Sequence, residues 1–166
     1  MKTVDLKTVL DWNPCSDFPP ERIEALFAGR EKVGVADGLS IETMRQDERL
    51  WFALREVFFS PDQLETMAAY FVIHAAKGLD CSKPHVSQAL LNATMASTGN
   101  FEELPEDPRQ DEWKKGATTA EKCAALSALW AARARAEMHT DKHSRHRAWN
   151  RERDWQIRHV KEKAGI

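Results

Sequence analysis

This chain is poor in features that assign chemistry on their own. Its three cysteines, Cys15, Cys81 and Cys123, are odd in number and widely spaced. That pattern excludes a disulfide framework and a C-x-x-C metal ribbon, and predicts reduced, mostly buried thiols. No apolar run approaches the roughly 18 to 20 residues that cross a bilayer. The opening "MKTVDLKTVLDW" carries acids where a secretory signal has its apolar stretch, so a cytoplasmic protein without a membrane partner is expected. There is no G-x-S-x-G elbow, P-loop, H-E-x-x-H helix or Gly-rich dinucleotide turn, and with them go the commonest hydrolase, nucleotide and zinc-protease chemistries. Cys15, beside Pro14, would act as a nucleophile only with a histidine folded over it. Carboxylates do pair at Glu102 with Glu103 and at Glu106 with Asp107, but in a proline-containing connection they read as solvated charge. A non-enzymatic protein with no cofactor is the expectation.

What is present suits one all-α domain. The 166 residues are enough for a single core, and six tryptophans make that core Trp-rich. Pro19 and Pro20 suit a helix start before "ERIEALFAG". "REKVGVADGLSIETMR" holds three glycines in or beside it and reads as loop, with room for a short strand at Lys32 to Val35. In "ERLWFALREVFF" the residues Leu50, Trp51, Leu54, Val57 and Phe58 recur at helical spacing behind Asp47 as N-cap. Ser60 and Pro61 open a broadly apolar helix that is expected to be central, with Gly78 as its stop. Pro84 opens another, closed by Gly99. Thr118 with Glu121 three residues later forms a capping box, after which neither Gly nor Pro occurs until Gly165. One long helix, or two with a break near Thr140 and Asp141, fills the last quarter. The predicted architecture is a bundle of about five helices, with an acidic body over 1–116 behind an irregular lead-in and a basic helical segment over 117–164.

Charge separates along the same line. From Arg133 to Lys163 there are ten Lys or Arg against five Asp or Glu, leaving 14 against 21 elsewhere. Such a bipolar molecule can steer a partner.

The densest stretch is "EMHTDKHSRHRAWNRERDW", Glu137 to Trp155. His139, His143 and His146 share one helical face, and the first two have the spacing of metal ligands. No motif supplies the remaining ligands, so a half-buried seam is the preferred reading and no metal is expected. Arg and Trp side chains here also suit single-stranded nucleic acid. Five interleaved acids and a pI of about 6.3 argue against it.

Three pieces, "DWNPC" at Asp11 to Cys15 followed by "ERIEAL", "DERLWFALRE" at Asp47 to Glu56, and "RERDWQIRHV" at Arg151 to Val160, resemble a family of helical bacterial and phage proteins sometimes labelled immunity proteins. That resemblance implies an all-helical fold and a protein partner in place of a substrate. The expected function is therefore an inhibitor or adaptor that covers a surface of a toxin or a nuclease complex. One candidate contact set is basic and aromatic: Arg145, Arg147, Trp149, Arg151 and Trp155. The other is acidic and phosphate-like: Glu102, Glu103, Glu106, Asp107, Asp111 and Glu112. A homodimer through the Ala-rich "AALSALWAARARA" helix is the further option.

Overall fold

A computed structural model describes residues 2–12, 14, 19–106 and 116–166. Most of this is helix: α1 (Leu6–Asp11), α2 (Pro20–Phe27), α3 (Val35–Ser40), α4 (Gln46–Ala53), α5 (Pro61–Ala76), α6 (Pro84–Ser97), α7 (Thr119–Glu137) and α8 (Lys142–Ala164). Two three-residue strands, β1 (Thr3–Asp5) and β2 (Lys32–Gly34), pair antiparallel with Val4 opposite Val33. A 3-10 turn covers Phe101–Glu103. The all-α reading and the short strand near Lys32 both hold.

Local chemistry sets the main boundaries. Ser60 Oγ accepts from Gln63 N at 3.3 Å while Gln63 Oε1 accepts from Ser60 N at 2.9 Å, a reciprocal cap at the start of α5. Thr118 and Glu121 repeat the device on α7. Asp141 Oδ1 accepts from Ser144 N at 2.8 Å and starts α8. The last quarter is thus two helices, broken between Met138 and Asp141, where the Asp141 side chain caps the second.

Three expectations need correction. The segment read as loop after β2 holds α3, whose Gly38 lies so close to Phe52 that an added Cβ would sit 2.2 Å from Phe52 Cδ1. α4 stops at Ala53, short of Phe58, because Arg55 turns inward. Its Nε donates to Trp51 O, and its Nη1 meets Glu121 at 3.2 Å. The central helix is α7 rather than α5. Fourteen residues of α7 are buried, and its alanines face α5, α6 and α8. Small side chains let those helices approach closely, and the Ala-rich face is buried inside the chain.

Tryptophan and phenylalanine do fill the core. Trp12, Trp51, Phe52 and Phe58 meet edge-on or tilted, with Trp12 and Trp51 centroids 5.8 Å apart. Arg55, 2% exposed, lies over Trp51 at 4.3 Å and over Trp12 at 4.9 Å. Burial alone pulls that arginine below its ordinary pKa, and Glu121 opposes the shift. No helix among the described residues is long and apolar enough to cross a membrane.

Candidate functional site

A cleft of about 1160 Å³ opens between the start of α4, the first half of α6, the C-terminal half of α7 and the start of α8. Its floor is buried: Met44, Ala89, Asn92, Leu129, Trp130 and Ala136. Its rim is exposed and polar: Arg45, His85, Gln88, Glu106, Arg133, Arg145 and His146. Trp149 and Asn150 stand half-buried between the two. An apolar floor, a polar rim, and Trp and Arg as the large side chains are the composition of a protein-binding hot spot.

The walls are held from behind by a buried polar network. Arg153 is fully buried; its Nη2 lies 2.6 Å from Asp47 Oδ1 and its Nη1 donates to Gln156 Oε1 at 2.9 Å. Gln156 in turn donates to Ala128 O at 3.0 Å. A buried charge persists only with such partners. This one ties α8 to both α4 and α7. It also sits 5.0 Å from the Trp149 ring, fixing that indole at the cleft. Gln46 donates to Asn150 O and to Asp154, closing the seam between α4 and α8.

Two rim features bear on what the cleft can bind. The Arg145 guanidinium donates to Glu137, and Gln88 Nε2 donates to Asn92 Oδ1 at 3.0 Å, so the rim is already ordered. Arg133 stacks over Trp130 with its Cζ 4.8 Å from the ring centroid. On the floor Trp130 is 4% exposed, and its buried Nε1–H has no hydrogen-bond partner among the described residues. A donor in that state costs about 1 to 3 kcal/mol.

The candidate residues distribute unevenly. Arg145, Trp149 and Glu106 line the cleft. Arg147 and Arg151 are exposed on other faces of α8. Trp155 is half-buried and packed: its ring lies 3.5 Å from His74 and 5.2 Å from His159, both nearly parallel to it. Glu102 and Glu103 are exposed in the 3-10 turn. Asp107, Asp111, Glu112 and Cys15 lie outside the described residues. His139, His143 and His146 are exposed, not a half-buried seam, because the break at 138–141 interrupts the stripe that would have carried them inward. Among the described residues, no group of three or more His, Cys, Asp or Glu is placed to hold a metal ion. Burial pushes the Cys123 thiol up, with Glu65 adding to the shift, and Cys81 is exposed. Trp130, Asn92 and Arg133 were not singled out from the sequence. Trp130 and Arg133 carried only the signal of a Trp and an Arg three residues apart in an alanine-rich helix, and Asn92 carried none.

No family model matches the chain, and neither a curated protein nor a solved structure matches it.

Proposed function

We propose that this protein is a non-enzymatic inhibitor or adaptor that takes a segment of a partner protein into the cleft between α4, α6, α7 and α8. One observation carries the reading: two tryptophans, Trp130 and Trp149, and three arginines, Arg45, Arg133 and Arg145, converge on one pre-formed groove. Trp and Arg dominate binding energy at protein interfaces, and a groove already ordered by hydrogen bonds lowers the entropic cost of docking. At about 1160 Å³ the cleft exceeds the ~300–1,000 Å³ of ordinary small-molecule pockets. The resemblance to immunity-labelled helical proteins is in keeping with a toxin or a nuclease complex as the partner.

Nucleic acid is the weaker reading. Trp155, the second ring of the supposed stacking platform, packs on His74 and His159, and the flanking Glu152 and Arg153 are buried. The test is affinity capture from the native host followed by size-exclusion chromatography with light scattering. The expected result is a stoichiometric complex that Trp149→Ala and Arg145→Ala weaken by ~2 kcal/mol or more each, the loss typical of an interface anchor. A complex indifferent to both substitutions would place the contact elsewhere.

A further inference from the structure

We propose that two copies of this protein pair through the outward face of α5, antiparallel about a two-fold axis, with Asp62 of each copy meeting Lys77 of the other. α5 is apolar almost all round: between Glu65 and Lys77 the chain carries no Asp, Glu, Lys or Arg. Leu64, Met67, Ala68, Phe71 and Ala75 turn inward and are buried. Thr66, Ala69, Tyr70, Ile73 and Ala76 lie on the opposite side and are exposed, Tyr70 at 45% and Ile73 at 54%. At 3.6 residues per turn these five share an arc of about 120°. A helix that is apolar all round is normally buried, and a solvent-facing one carries its charge on the outer side. Here, two of the four large apolar side chains exposed among the described residues stand on one uncharged face.

The charges at its two ends select the occupant. Asp62 stands in the first turn of α5 and Lys77 caps its end, both exposed and neither in an ion pair among the described residues. A face acidic at one end, basic at the other and apolar between is its own complement once turned end for end. With the axis between Ala69 and Tyr70, Thr66 of one copy opposes Ile73 of the other, and two Asp62–Lys77 pairs close the ends. A parallel pairing would set like charge on like. Glu65, exposed beside Asp62, adds to the attraction for the incoming Lys77. Lys163, its ammonium 5.3 Å from the Tyr70 ring centroid, flanks the face on the α8 side. Such an isologous contact closes at two copies. No residue of α5 lines the cleft between α4, α6, α7 and α8, so pairing here uses none of that lining, and one dimer carries two clefts.

Analytical ultracentrifugation of the full-length protein from about 1 µM to about 1 mM reads the pairing. One helix pair makes a small interface, so the expected dimer dissociates on the order of tens of micromolar. Ile73→Glu should leave a monomer with an unchanged melting temperature, since that side chain is more than half exposed. Asp62→Lys and Lys77→Asp should each weaken self-association about fivefold or more. An equimolar mixture of those two variants should form a heterodimer, because each supplies the charge the other lacks. Raised salt should weaken the unaltered and the mixed dimer alike. A protein that stays monomeric throughout the range overturns the inference, as does a dimer that Ile73→Glu leaves intact. A dimer unmoved by either charge reversal, or reversed variants that do not pair on mixing, overturns the antiparallel register. Because mixing compares the two charge variants with each other, the test stands even if Ile73→Glu does not fold.

Discussion

The imidazole of His74 lies flat on the indole of Trp155, ring centroids 3.5 Å apart and planes within 3°. The same imidazole reaches Glu152 through Nδ1 at 3.1 Å, and Arg135 pairs in charge with Glu152, its Nε 3.5 Å from Oε2. α5, α7 and α8 are therefore joined at one point by stacking and charge together. Trp155→Ala should lower stability by roughly 2 to 3 kcal/mol, short of the ~3–5 of a fully buried aromatic because the ring is half-exposed. Chemical denaturation reads the loss directly. Such a change acts through the fold, so a partner bound in the cleft should still bind whatever fraction is folded.

Glu121 joins three roles: partner of buried Arg55, acceptor for Glu56 N at 2.8 Å, and capping residue of α7. Glu121→Ala leaves Arg55 charged and unpaired between Trp12 and Trp51, and should cost about 3 to 5 kcal/mol. Replacing both members, Arg55→Met with Glu121→Leu, should recover most of this. What remains lost is chiefly the cap, worth about 1 kcal/mol. Urea midpoints of the three proteins check the ordering.

Gly38 is a steric requirement. Any side chain there meets the Phe52 ring, so Gly38→Ala should destabilise by roughly 1 to 3 kcal/mol through overpacking. Gly38→Ala combined with Phe52→Leu should regain part of that loss. Thermal melts of the single and double variants measure it.

The element boundaries that could be read from the sequence were those with a chemical signal of their own. Ser60 with Pro61, Pro84, and Thr118 with Glu121 each announce a helix start through a cap or a fixed backbone angle, and α5, α6 and α7 begin there. β1 and α3 were not legible. β1 lies next to the lead-in read as irregular, with its pairing partner 29 residues on, and Gly38, one of the glycines that argued for loop, is used instead for close packing of α3 on Phe52. The end of α4 was missed for a different reason: the partner that draws Arg55 inward lies 66 residues away in the chain. The cleft divides similarly. Arg145 and Trp149 stood out by composition, while Trp130 and Asn92 become site residues only once α6 and α7 have packed.

Burial holds the His159 imidazole below its ordinary value of 6.5; Lys163 and His74 add to this and Glu162 opposes it. The rings of Tyr70, Phe71 and Trp155 also face it. The unfolded chain consequently binds this proton more readily than the folded one. His159's contribution is complete above about pH 6.5 and is lost as pH falls from there through the depressed folded value. His159→Gln should flatten the stability profile in that window relative to the unaltered protein. Melting temperatures taken from roughly pH 5 to pH 8 give the comparison.

Hydrogen–deuterium exchange on the protein alone and in complex with its captured partner locates the contact without altering a residue. Slowed exchange should concentrate in residues 44–47, 85–92 and 145–150, the three segments that frame the cleft around Trp130. Protection confined to the outer face of α5, around exposed Tyr70 and Ile73, with the cleft segments unchanged, would contradict the assignment.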